Sequence, residues 1–316
     1  MPTIITPFGA IETLPDIEFF PDGAVRSCIA ARACPLTTPL GTLVPQFTAN
    51  TQRKRQLPTI SFHPSGMIRN LPLEEQTVVS TPLGNLPAEQ VTFYDNGALR
   101  RIFPLNGTLS GFWTQEDEAR LAAPLIVDTP AGPVEALIIS LYFSPRGGLR
   151  SLTLWPGTTL DVPSPLGNIV ARVGVSFFDS GALRSLEPAA PAAVPTPVGE
   201  LLAYDPDAVG ICGDRNSLYF RENGALRGLT TTAHAFDVVL ENGRVRHLSP
   251  PLRCHPCDGE RMEAAPISLE FGKGLVSFLS ADLPRLSVAV DGVTASRFFL
   301  PLPTLSPMCS MGAGKW

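Results

Sequence analysis

Along most of the chain apolar and polar residues alternate in short runs, and each run stops at a glycine or a proline. In VTFYDNGALRRI, residues 91–102, Val91 and Phe93 alternate with polar neighbours, Asp95-Asn96-Gly97 interrupts, and Leu99 resumes the pattern. A period of two predicts half-buried β-strands, and a short link ending in glycine predicts a hairpin. The design returns in FFDSGALRSL and YFRENGALRGL. Its general form is an aromatic residue, three variable residues, Gly, one residue, an aliphatic residue and Arg. It occurs around Gly23, Gly66, Gly97, Gly147, Gly181 and Gly224, with a weaker copy, VLENGRVR, around Gly243.

A second signature, T/S-P-x-G, alternates with the first, at Thr6, Thr38, Thr81, Thr129, Ser164 and Thr196. Both suit a type I turn closed by a left-handed glycine in a G1 bulge. Internal repetition at about 30 to 50 residues marks a solenoid, propeller or array. The chain therefore reads as all-β, a repetitive antiparallel meander of hairpins forming a coiled or rolled open sheet or a solenoid-like array. A closed up-and-down barrel is the alternative. Modules run 6–37, 38–80, 81–128, 129–163, 164–195 and 196–235, so residues 1–235 form the array and 236–316 a degenerate repeat and C-terminal cap. The nearest helix candidate is Thr114-Gln115-Glu116-Asp117, an N-cap with an acidic first turn.

Turn geometry places Tyr94 opposite Ala98 and Phe93 opposite Leu99. One face then carries the trios Ile17/Phe19/Val25, Ile60/Phe62/Ile68, Val91/Phe93/Leu99, Leu141/Phe143/Leu149, Val175/Phe177/Leu183 and Leu218/Phe220/Leu226, which predict the core. The opposite face carries the arginine with Glu18, Ser61, Thr92, Tyr142, Ser176 or Tyr219 across from it, and is expected to meet water. Ile102, Leu152, Leu186 and Leu229 fall on that polar face by strict alternation. Either a bulge that flips the register or a second layer over that end would resolve the conflict.

The chain has 316 residues, of which 44% are hydrophobic and 17% charged, enough to bury a substantial core. Its 33 prolines and 27 glycines are spread evenly, as many short strands require. A net charge of −5 argues against a general nucleic-acid binder, which needs a cationic surface. The first twenty residues lack a cationic start and a continuous apolar run, and no stretch approaches the ~20 apolar residues of a spanning helix. Six sparse cysteines fit a reducing compartment. These features read as a cytoplasmic protein.

The stretches FYDNGALRRI, FFDSGALRSL and FRENGALRGL resemble the divergent, antitoxin-associated class of MORN (membrane occupation and recognition nexus) repeats, in which an aromatic strand turns at Asn-Gly into an aliphatic one. The likeness covers about ten residues per module; the Y-x-G-x-W core of the usual repeat is missing, and T-P-x-G has no counterpart there. The resemblance implies an elongated hairpin array used for protein association or membrane-surface contact.

The feature most suggestive of function is the arginine series Arg26, Arg69, Arg100, Arg150, Arg184, Arg227 and Arg246, one per hairpin at the same position. On adjacent hairpins it forms a row of guanidinium groups suited to carboxylates or phosphates. Arginines that only cover the sheet with their stems and pair with Glu18-type neighbours are the plainer reading. Cys254 and Cys257 in RCHPC are half of a tetrahedral zinc site, to which His247 or His255 would add a nitrogen. Plain tail cysteines are the competing reading, because no second ligand pair lies nearby. Arg53-Lys54-Arg55 reads as a solvated basic loop. Gly312-Ala313-Gly314-Lys315 lacks the spacing of a phosphate-binding loop, and His63 and His234 stand without a catalytic constellation.

Two functions stay open. One is a non-enzymatic interaction or scaffold module that docks a protein partner, or an anionic membrane surface, on the face bearing Arg69, Arg100, Arg150, Arg184 and Arg227. The other is an enzyme or small-ligand binding protein with its site inside a rolled sheet.

Overall fold

The computed structural model describes residues 1–208, 213–214, 216–255, 258–280 and 283–300. The chain is all-β, and its centre is one 16-stranded antiparallel sheet that stays open. From one edge the strands are Glu18–Phe19, Val25–Cys28, Ile60–Phe62, Ile68–Thr81, Gly84–Phe93, Leu99–Phe103, Ile138–Phe143 and Leu149–Leu154. They continue with Gly167–Phe177, Leu183–Pro188, Leu218–Phe220, Leu226–Thr231, Ile267–Gly272, Leu275–Ser280 and Leu283–Ala289. Leu160–Ser164 pairs beside Gly167–Phe177. The two ends do not meet, so the barrel alternative is excluded.

The register conflict is resolved by a bulge, and the bulge recurs. Leu99 pairs with Phe93, Arg101 with Thr92 and Ile102 with Val91, so Arg100 is an extra residue in its strand. The same shift makes Arg26, Arg69, Arg150, Arg184 and Arg227 the extra residues of their hairpins. Two residues on the bulged strand then oppose one on its partner. Leu99 and Ile102 both return to the core face despite a spacing of three, and Ile102, Leu152, Leu186 and Leu229 are fully buried. The turns behave as expected: Tyr94 N–H donates to Ala98 O at 2.9 Å, Gly97 N–H donates to Tyr94 O, and Gly97 has φ 79°.

The meander is not continuous. Four T-P-x-G hairpins leave the large sheet as separate ribbons: Thr3–Thr6 with Gly9–Glu12, Leu36–Thr38 with Gly41–Leu43, Leu125–Thr129 with Gly132–Ala136, and Ala192–Thr196 with Gly199–Ala203. Each buries one side, through residues such as Ile11, Leu36, Val127, Val134 and Leu201, in the same core as Phe93, Phe143 and Phe220. They form a second layer because a sheet with one apolar face must cover it. Their turns also depart from the expected geometry. The glycine pairs directly with the Thr or Ser instead of being an extra residue, and the hydroxyl bridges the two-residue loop: Thr129 Oγ1 donates to Gly132 O and accepts from Ala131 N. In four of the six T/S-P-x-G turns the proline lies beside the glycine turn of a neighbouring module, Pro39 at Gly97, Pro82 at Gly147, Pro130 at Gly181 and Pro165 at Gly224. This contact ties the two signatures together.

The trios form the core except at the edge, where Phe19 is 57% exposed because no strand lies beyond it. The short helix Gln115–Ala119 starts at Thr114, which makes a reciprocal capping box with Asp117. Within residues 236–316, Ile267–Gly272, Leu275–Ser280 and Leu283–Ala289 extend the large sheet. His234–Val239, Val245–Leu248 and Val293–Arg297 make a separate three-stranded sheet. Among the described residues no helix is long and apolar enough to cross a membrane.

Candidate functional site

The bulges position the arginines. Each lies just past its glycine turn on every second strand of the large sheet, so Arg26, Arg69, Arg100, Arg150, Arg184 and Arg227 stand in one row in this order. With strands about 4.8 Å apart, neighbouring arginines are about 10 Å apart and the row is roughly 50 Å long. A bulge also sends two successive side chains to one face, and Arg100 and Arg101 both reach the Tyr142 ring, at 5.9 and 4.8 Å. Arg246 does not join the row, because its strand belongs to the separate three-stranded sheet.

The members of the row differ in company. Arg26 and Arg69 are exposed. Arg184 sits over the Phe178 ring at 5.9 Å. Arg150 meets Asp179 at 3.1 Å, and Arg227 meets Glu270 at 3.2 Å, with Arg285 on the other oxygen of that carboxylate. All these pairs are partly exposed, so each is weak and exchangeable. At the centre Tyr94 donates to Phe143 O at 2.8 Å and lies 3.2 Å from the Tyr142 hydroxyl. Burial, then the hydrogen bond to Tyr142, raises the Tyr94 phenol. Burial also acts to raise Tyr142, but the bond from Tyr94 and the charges of Arg100 and Arg150 outweigh it and hold that phenol below its usual range. The centre of the row is therefore a tyrosine pair flanked by the Arg100 and Arg150 charges. At one end Arg221, Arg227, Lys273 and Arg285 line a groove of about 640 Å³ with Phe178 and Phe271.

The polar face does not meet water throughout. Ser151, Thr153, Ser176 and Ser185 are buried, because part of the segment after Ala203 folds back over them. Gly213 N–H donates to Thr153 Oγ1 at 3.0 Å and Asn216 Nδ2 donates to Ser185 Oγ at 2.7 Å. The approach needs glycine on both sides, since a Cβ at position 174 would lie 2.2 Å from Gly213 Cα.

Beside this crossing lies a second concavity, a cleft of about 500 Å³ walled by Leu105, Ile139, Leu154, Trp155 and Val173 and reached by Arg172 and Glu118. Glu118 is held by Arg53, the first residue of the basic cluster expected to be solvated. Arg53 is instead largely withdrawn from solvent, with Nε and Nη2 each 2.6 Å from Glu118 and Nη1 and Nη2 at 2.9 and 2.6 Å from Glu89. Lys54 caps the Glu74 carbonyl and Arg55 stacks 3.7 Å above Phe112. Solvation fails as a reading because the two carboxylates lie 36 and 65 residues away in sequence. No local signal announces them.

Cys254 is exposed, with Sγ 3.8 Å from Met262 Sδ, whereas Cys257 lies outside the described residues, as does the Gly312–Lys315 stretch. Among the described residues no three His, Cys, Asp or Glu side chains cluster as metal ligands. His247 pairs with Asp237 at 2.8 Å, and His63 contacts Phe93 O at 3.1 Å. His234 is buried beside Thr231, and burial lowers its pKa.

No protein-family model and no curated protein matches the sequence.

Proposed function

We propose that the protein is a non-enzymatic interaction module whose arginine-bearing face receives an extended acidic segment of a protein partner. The observation that supports this most is the recurrence of the bulge. Six hairpins each carry an extra residue, that residue is arginine each time, and all six lie on alternate strands of one sheet. A bulge needs no particular side chain to restore the core register, so the identity of the residue calls for a use on the surface. An extended peptide in the polyproline II form rises about 3.1 Å per residue with three residues per turn, so every third side chain faces the same way at intervals of about 9 Å. A carboxylate on every third residue then meets successive guanidiniums, each suited to bidentate pairing.

The Asp179 and Glu270 carboxylates already show the chemistry on Arg150 and Arg227, in pairs weak enough to be displaced. The MORN-like stretches support the same reading, and residues 236–316 serve in it as the cap of the array, in the cytoplasm. The test is fluorescence anisotropy with a labelled twelve-residue oligoglutamate. The wild-type protein binds it with an affinity that falls as salt rises, and Arg100→Ser/Arg150→Ser/Arg184→Ser together weaken it tenfold or more while the circular dichroism spectrum is kept. Equal affinity in the folded triple variant removes this face. Stronger binding to anionic phospholipid vesicles than to any peptide moves the partner to a membrane surface.

A further inference from the structure

The cleft beside the folded-back segment differs in chemistry from the arginine row, and the contrast between its two charged residues defines it. Glu118 is spent: its oxygens accept from Arg53, from Trp113 Nε1 at 2.7 Å and from Gly107 N at 3.2 Å. Arg172 is not. Its Nη2 donates to Asp205 O at 2.6 Å, its nearest carboxylate, Glu187, stays 3.8 Å away, and its Nε is buried with no hydrogen-bond partner. Glu187 is turned elsewhere, accepting from Asp205 N at 3.0 Å and Ser217 N at 2.7 Å. Burial also pushes its carboxyl up to about 7, so near neutral pH it offsets only part of the Arg172 charge. The remaining walls are mainly apolar, with Leu105, Leu109, Ile139, Leu154, Trp155 and Val173, and carry two uncharged polar side chains, Gln115 and Thr158.

The backbone at this spot is also unusual. The ladder between Gly167–Phe177 and Leu183–Pro188 skips from Arg172↔Glu187 to Val175↔Leu186, leaving two residues unpaired. One of them, Val173, takes φ 59°, a left-handed conformation that a β-branched side chain adopts only under strain. The irregularity puts both Val173 and Arg172 on the cleft wall. Strain of this kind concentrates where a ligand is held. The volume lies within the range of small-molecule pockets, about 300–1,000 Å³, and so does the character: mainly apolar walls with a few polar groups, of which Glu118 already has its charge matched by Arg53.

We infer that this cleft binds a small monocarboxylic acid with an apolar body, its carboxylate on the Arg172 guanidinium and its body against Trp155, Leu154 and Ile139. The site is independent of the arginine row, and a failure of either leaves the other standing. A guanidinium pairs a carboxylate through parallel N–H bonds, and in an apolar surround such bonds are strong. An alcohol of the same length keeps the apolar contacts and loses the charge-assisted ones. A primary amine of that length would choose Glu118 if its charge were available.

The test is calorimetric titration of the full chain with octanoate, octanol and octylamine, all below their aggregation limits. Octanoate is expected to bind with one-to-one stoichiometry at least tenfold more tightly than octanol or octylamine, and Arg172→Met is expected to remove that preference. Because Arg172→Met also deletes the bond to Asp205 O, a second variant, Ile139→Trp, fills the cleft from its apolar lining and is expected to abolish octanoate binding with Arg172 in place. Equal binding of octanoate and octanol, a preference for octylamine, no binding of any of the three, or full octanoate binding in a folded Ile139→Trp protein would each overturn the assignment.

Discussion

Six hairpins of this protein and a seventh share the same turn, yet only the six carry a bulge. Around Gly97 the ladder skips Arg100, whereas around Gly243 it runs without a shift: Val239↔Val245, Val238↔Arg246, Asp237↔His247, Phe236↔Leu248. The turns are alike, with Gly243 N–H donating to Leu240 O as Gly97 N–H does to Tyr94 O. The phase of the partner strand differs. In the six, apolar residues sit at the last strand position before the turn and two before that, as in Phe93 and Val91. Leu99 and Ile102 must both meet that face, three residues apart, so one residue has to be extruded. In the seventh, Phe236 and Val238 are buried while Val239 is 46% and Val245 64% exposed. Leu248 reaches Phe236 by plain alternation, nothing is extruded, and Arg246 is no longer a bulge residue. The arginine row thus depends on the apolar phase of the strand before each turn, not on the turn itself.

The comparison breaks most visibly at equivalent aromatic and aliphatic positions. Phe143→Ala in a bulged copy is expected to cost about 3–5 kcal/mol, the usual loss for a fully buried Phe. Val239→Ala at the matching place in the seventh copy costs about 0.5 kcal/mol or less, as surface changes do. Urea denaturation of both variants measures the difference, and similar losses would contradict the assigned phases.

Deletions sharpen it further. Removing Arg246 would set Leu248 opposite Asp237 on the exposed side, with a loss near the ~1.5–3 kcal/mol that burial of a Leu contributes. Removing Arg100 leaves Leu99↔Phe93, Arg101↔Thr92 and Ile102↔Val91 as they are, and about 1 kcal/mol or less is expected from the altered twist. Midpoints of thermal unfolding separate the two cases.

The fifth copy has a second irregularity, at Val173, and there the prediction concerns pH. Glu187, facing Arg172 and the N–H groups of Asp205 and Ser217, titrates at about 7 against an ordinary 4.5 because it is buried. The folded protein keeps a proton that the unfolded chain has released between these values. Stability from this group is complete below about pH 4.5 and declines as pH rises to and through 7, by about 1.4 kcal/mol per unit of displacement. Asp205, raised by burial, has the same sign. Glu187→Gln should flatten the decline in a pH series of unfolding curves; an unchanged slope would locate it elsewhere. The smallest effect belongs to the row itself: Arg100→Ser, Arg150→Ser and Arg184→Ser should each change stability by about 0.5 kcal/mol or less, since their ring contacts and the Arg150–Asp179 pair lie at the surface.

Much of this architecture was legible in the sequence because its signals are local. Period-two alternation, the Asn-Gly turns and the three-residue spacing of Leu99 and Ile102 are all contained within a dozen residues, and the spacing was enough to call for either a bulge or a second layer over that end. Which ribbons form the second layer was not legible: Val127 and Val134 alternate like any strand residues, and whether their ribbon continues the sheet or folds over it depends on core volume elsewhere. The candidate row was visible as a list of arginines, but Arg246 could be excluded only by the pairing of its strand. The cleft was hidden altogether, since Arg172, Glu187 and Asp205 come together through a bulge at Val173 and a fold-back at Gly213 that have no turn motif. Arg53 shows the same limit from the opposite side, a cation in a basic run that is largely withdrawn from solvent by partners far along the chain.

The most direct measurement of the central claim is the affinity of the wild-type protein for oligoglutamates of four to twenty residues at fixed salt. A row of six arginines about 10 Å apart predicts affinity that climbs with each ~3 residues and levels off near fifteen, where the peptide has reached the row's ~50 Å span. Affinity that does not depend on length beyond four residues would contradict it, leaving at most one local anion site in place of a continuous binding face.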